Sequence, residues 1–213
     1  MKQIILLAII VCFTVFNSLA AGYEETMKQN IEKMNQLHSP TDLADLANQF
    51  DRIGQKETDK WLPGYYAAYS YISILFFNQE LTNEQKQGYL DQAQKQIDHI
   101  LTITDKESEI MALQGMLYEM RISDPSEGYK YSTLSNEALS KAELMNKENP
   151  RVYYLKGLNM FYTPAQYGGG PAVAKPLFEK AASLFEKSKN VVTILPSWGE
   201  YHNNMMLGQC NGK

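Results

Sequence analysis

The sequence predicts an all-α fold of about nine helices stacked as antiparallel pairs, and three observations carry that expectation. Apolar residues recur at helical spacing, as in Val152, Leu155, Leu158 and Phe161. Capping residues punctuate the pattern at Ser39-Pro40, Thr82 with Gln85, Asp124-Pro125-Ser126-Glu127 and Asn149-Pro150. The third is an internal repeat: Ile110–Gly115 sits 42 residues before Val152–Gly157, and the same offset pairs Ile97, Ile100 and Ile103 with Leu139, Ala142 and Met145. No segment alternates with period two for long enough to form a half-buried strand.

The chain opens with Met1–Ala20: one lysine, an apolar run from Ile4 to Phe16, and Ser18-Leu19-Ala20 as a small-residue cleavage site. This reads as a secretory signal peptide over residues 1–20. Its apolar run is shorter than the roughly 18 to 20 residues that span a bilayer, so no transmembrane segment is expected after cleavage. Val11 before Cys12 argues against lipidation there. The expected compartment is the periplasm, with the extracellular space as the alternative. Residues 21–213 are long enough for one domain with one core. They carry 19 basic and 24 acidic side chains, a balance that points away from nucleic acid, whose phosphates demand clustered positive charge. Cys210 alone remains after cleavage, so no intrachain disulfide can form; an inert thiol is expected, with an intermolecular disulfide as the alternative.

Tyr23–Leu37 and Thr41 to about Gln55 predict the first two helices, the second with Leu43, Leu46, Ala47, Phe50 and Ile53 on one stripe. The third opens at Trp61-Leu62-Pro63 and runs to Phe76 almost without charge, so it should be the most buried. Thr82 and Gln85 form a capping box for the fourth, Asp105 should start the fifth, and Asp124 with Glu127 the sixth. Asn149–Phe185 supplies the seventh and eighth around a glycine-rich turn, and Pro176 should kink or delay the eighth. Ser197-Trp198-Gly199-Glu200 should cap the ninth, ending near Gly208.

Within Asn149–Phe185, Tyr153 stands at an aromatic position, Gly157 at a small one, and Ala174, Phe178 and Ala181 form a small-large-small set. These residues resemble the tetratricopeptide repeat, a resemblance that implies a right-handed α-solenoid. Gly157 and Ala174 are 17 residues apart where the template needs about 12, so Thr163–Pro171 reads as an insertion. Over its mature length the chain is similar to small exported tetratricopeptide-like proteins of Gram-negative bacteria that carry no assigned activity. Phe50–Ile53, Trp61–Ala68, Asn149–Tyr154 and Tyr162–Ala181 carry the likeness. The last block is also similar, locally, to the helical partner subunit of some solute transporters.

Catalytic groups are sparse. His38, His99 and His202 form no metal-binding pair and read as isolated solvent-side residues; no G-x-S-x-G elbow is present. Tyr167–Pro171 lacks the G-K-[ST] ending of a phosphate loop, since Pro171 and Ala172 follow Gly170. Positive φ or a close approach to a neighbouring helix explains its glycines, a ligand-contacting loop being the alternative. No enzyme activity, cofactor or metal is expected.

Tyrosine is the unusual residue, at 14 copies against 8 phenylalanines. Tyr65, Tyr66, Tyr69, Tyr153, Tyr154, Tyr162 and Tyr167, with Gly168, are the candidate binding residues if the inner helices line a concave groove. Packing between layers is the plainer reading of the same residues. The function expected is a non-catalytic envelope scaffold holding a protein or peptide partner. The alternative is a small-molecule carrier or transport accessory with a tyrosine-lined pocket.

Overall fold

The computed structural model describes residues 22–189 and 193–212; the expected signal peptide lies outside them. The described residues form nine α-helices and no strand: α1 at 22–34, α2 (Pro40–Lys56), α3 (Leu62–Phe77), α4 (Asn83–Ile103), α5 (Ser108–Met120), α6 (Pro125–Met145), α7 (Pro150–Tyr162), α8 (Pro171–Ser188) and α9 (Glu200–Cys210). A single 3₁₀ turn, Ala165–Tyr167, precedes α8. The all-α helix-pair solenoid expected from the sequence is present.

The main pairings are α3 with α4, α5 with α6 and α7 with α8; α2 packs on α3, and α9 packs on α8. Helices α3, α5 and α7 also contact one another in series and so form one layer. All three run in the same direction, because each is followed by an antiparallel return helix. One hydrophobic cluster runs from Met27 in α1 to Met206 in α9.

A single device recurs in the three pairs. A Cβ added to Gly64 would lie 2.3 Å from Ile100 Cγ2, one on Gly115 2.8 Å from Leu139, and one on Gly157 2.5 Å from the Phe178 ring. Each glycine lets the return helix seat a large side chain against its partner's backbone. The expected close approach at Gly157 is therefore general, and Gly64 joins it.

Most local signals behave as expected. Ser39 accepts from Asp42 N, Thr82 and Gln85 complete their capping box, and Asn149 accepts from Arg151 N. Three differ. Helix α5 starts at Ser108 rather than Asp105, and no side chain caps it; the Ser108 hydroxyl instead donates to Ala142 O and accepts from Asn149 Nδ2, linking neighbouring pairs. In α6, Asp124 caps the helix as expected by accepting from Ser126 N, but Glu127 reaches back to Ser123 N rather than to Asp124 N. Helix α9 is entered through Gly199 at φ 105°, not capped by Ser197, because Trp198 turns inward just before it. Pro176 lies within α8 without delaying it.

The inserted loop meets both expectations made for its glycines. Gly168 and Gly170 have φ of 84° and 106°, and a Cβ on Gly169 would sit 2.2 Å from Thr163 O. Gly170 N donates to Met160 O, closing the loop onto the end of α7.

Gly157→Ala should lower stability by about 1 to 3 kcal/mol through overpacking against Phe178, read as a shift in the urea midpoint without a change in slope.

Candidate functional site

The helix layer carrying the tyrosines is crossed by the segment leading into α9. Tyr66 donates its hydroxyl to Ile194 O at 3.0 Å, and Trp198 Nε1 donates to the Tyr65 hydroxyl at 2.9 Å. Arg151 fastens the segment further, donating to Trp198 O at 3.3 Å while gripping both oxygens of Glu109 at 2.7 Å. This ion pair is nearly buried and lies between the Phe185 and Trp198 rings. It joins α5, α7 and the crossing segment through charge-assisted bonds.

Trp198 is the centre of an aromatic group. Its ring stacks on Tyr69 with centroids 5.0 Å apart and meets Tyr154 edge-on at 6.3 Å. Tyr154 in turn meets His202 edge-on, its hydroxyl 2.7 Å from His202 Nδ1. Tyr69, Trp198 and His202 are half-buried, so each keeps some accessible surface. Met205 and Tyr201, exposed on α9, flank His202.

The electrostatics of this face follow from desolvation. Burial holds Tyr65, Tyr66, Tyr69 and Tyr154 above the ordinary phenol range, so all stay protonated at physiological pH. Burial lowers His202, which is therefore neutral near pH 7. Glu119, near the end of α5, is pushed up to about 8 by desolvation, although Ser135 donates to its Oε1 at 3.1 Å and opposes the rise. Its charge and the Tyr69 and Tyr162 phenols help to raise Tyr154.

The candidate tyrosines divide. Tyr65, Tyr66, Tyr153 and Tyr154 are buried packing residues, and Tyr153 spends its hydroxyl on Glu143 and Lys147 O. Tyr69 is half-buried. Tyr162 and Tyr167 are 70% and 76% exposed near the end of α7, and Gly168 has open space around it. The structure thus joins Tyr69 and Tyr154 to the Trp198 group and leaves Tyr167 and Gly168 apart on the inserted loop. His202 is a correction: expected on the solvent side, it is half-buried and hydrogen-bonded to Tyr154. Trp198 and Glu119 were not singled out from the sequence. Among the described residues no three His, Cys, Asp or Glu side chains come together as a metal-binding group, and no helix is long and apolar enough to cross a membrane.

Tyr154→Ala should destabilise the fold by roughly 3 kcal/mol, whereas Tyr162→Ala should stay within about 0.5 kcal/mol; chemical denaturation distinguishes them. Glu119 adds a pH dependence of defined sign. Its folded value exceeds its unfolded one, so the stability it allows at acid pH is lost as pH rises from about 4.5 through about 8. Glu119→Gln should therefore melt progressively higher than the parent between pH 5 and pH 9.

No family model matches this chain, and neither does any curated protein. Solved structures similar to this chain include the following two. The HusA haemophore from Porphyromonas gingivalis is 29% identical with a TM-score of 0.78, covering 88% of this chain and 92% of its own. A thermophilic TPR protein from Thermus thermophilus is 13% identical with a TM-score of 0.52, covering 88% of this chain and 100% of its own. The fold is therefore of the tetratricopeptide-like helical-repeat kind, and a binding role accords with the likeness to the haemophore.

Proposed function

We propose that this chain is an exported, non-catalytic carrier that holds haem or a related tetrapyrrole against the aromatic face built from Tyr69, Tyr154, Trp198 and His202. The likeness to the HusA haemophore, which extends over 88% of the chain, carries the reading. It favours the small-molecule carrier over the protein scaffold, the order opposite to the one the sequence suggests.

The local chemistry fits such a cargo. A planar apolar macrocycle gains by stacking on accessible rings, and Trp198 and Tyr69, stacked on one another, are only half-buried. In the tautomer whose Nδ1–H donates to the Tyr154 oxygen, His202 Nε2 keeps its lone pair and would serve as an iron ligand, and burial favours the unprotonated imidazole. Tyr154 then acts behind the ligand, fixing the tautomer and the ring plane. Iron bound there would supply coordination, while the ring contacts would hold iron-free porphyrins as well.

Haem added to the purified mature chain should produce a shifted Soret band and quench tryptophan emission at one-to-one or two-to-one stoichiometry, because Trp198 lies in the face. His202→Ala should weaken haem about tenfold or more, and should cost iron-free protoporphyrin less. Absence of any spectral change with micromolar haem would reject the carrier reading, and a pull-down of a single envelope protein by the same sample would restore the scaffold.

A further inference from the structure

The crossing segment, residues 193–199, makes no backbone–backbone hydrogen bond to α3, α5 or α7 among the described residues. Its carbonyls at Ile194 and Trp198 are taken instead by the Tyr66 hydroxyl and the Arg151 guanidinium. A segment attached in this way has no ladder to set the direction of its side chains, so each must be aimed by what it touches.

Trp198 is aimed by three residues. Its ring stacks on Tyr69 with centroids 5.0 Å apart and planes 13° apart, and its Nε1 donates to the Tyr65 hydroxyl at 2.9 Å. The Arg151 guanidinium carbon stands 5.6 Å from the ring centroid, within cation–π reach, while Arg151 Nη1 donates to the Trp198 carbonyl at 3.3 Å. Arg151 therefore grips both the backbone and the ring of the same residue. It can do so because it is itself fixed: Nε and Nη2 each donate to a Glu109 oxygen at 2.7 Å, and both side chains are nearly buried. The bidentate contact sets the plane of the guanidinium and leaves Nη1 for the crossing segment.

We propose that Arg151 is a positioning residue for the ligand: anchored by Glu109, it sets the Trp198 ring against Tyr69 and so fixes the aromatic group that receives the planar macrocycle. This rests on the carrier reading above and adds to it the device that tunes affinity. Arg151 does not touch the cargo; it acts through Trp198. Orientation rather than stability is its contribution, because two apolar side chains of like volume hold a helix interface as well as a buried ion pair does. Lysine at 151 would keep a charge opposite Glu109 and lose the orientation, since an ammonium is a point charge without a plane.

The test starts from Trp61→Phe, which leaves Trp198 as the one tryptophan of the chain. In that background Glu109→Leu with Arg151→Met replaces the ion pair by apolar side chains and leaves no buried charge unpaired; a urea titration checks that it folds. Before any ligand is added, the Trp198 emission should move to the red and its near-ultraviolet dichroism should weaken. The affinity for protoporphyrin IX, read by porphyrin fluorescence in dilute detergent, should fall about fivefold or more. The same paired change made together with Trp198→Ala should cost less than about twofold, because Arg151 then has no ring to hold. Arg151→Lys should reproduce the loss of affinity and the spectral change, and it decides the question if the paired variant does not fold. Unaltered affinity or an unaltered Trp198 signature in a folded variant would overturn the proposal, as would an equal loss in the Trp198→Ala background; each of these keeps the carrier. Absence of protoporphyrin binding by the parent chain rejects the carrier and the role of Arg151 with it.

Discussion

The fold depends on how closely two backbones approach. Gly64, Gly115 and Gly157 each stand where the return helix lays down Ile100, Leu139 or Phe178, and at all three a methyl group would collide with that side chain. The pair geometry follows from these contacts, since the large residue fills what the missing side chain leaves. Stacking of pairs follows in turn: Ser108, Asn149 and the Glu109–Arg151 ion pair span from one pair to the next. Glu109 and Arg151 are 42 residues apart, the same offset as the internal repeat, so equivalent positions of neighbouring pairs have become partners.

The same rigidity explains where binding chemistry can be placed. Residues that face between layers are committed to packing, as Tyr65, Tyr66 and Tyr153 show. Tyr129, Tyr167 and Tyr201 stand exposed outside the packed layers, while Tyr69 and Trp198 are half-buried and keep part of their surface. Desolvation there converts ordinary groups into unusual ones: phenols that stay protonated, an imidazole that stays neutral and a carboxyl that keeps its proton near neutrality. The flat, mostly apolar cargo proposed above suits such a face.

The architecture was legible in the sequence because its determinants are local. A cap and the residues it bonds lie within three positions, as at Ser39, Thr82 and Asn149, and a glycine triplet in a short turn announces positive φ by composition alone. Gly64 escaped notice because it precedes Gly115 by 51 residues rather than 42. The site was far less legible. Tyr154 and His202 are 48 positions apart, and Glu119 stands between Tyr118 and Met120 like any acid near a helix end; its environment comes from Ser135 on another helix and, through it, from Asn159 on a third. Residue type could not separate Tyr66 from Tyr162 either, since burial is decided by which helix arrives opposite.

The crossing segment and α9 have a temporal consequence. Trp198 and His202 come from the final part of the described chain, whereas Tyr69 comes from the third helix. A ribosome must therefore have delivered nearly the whole polypeptide before the aromatic face exists. A chain threaded through a membrane in an unfolded state would cross it empty, and would become competent for cargo only on the far side.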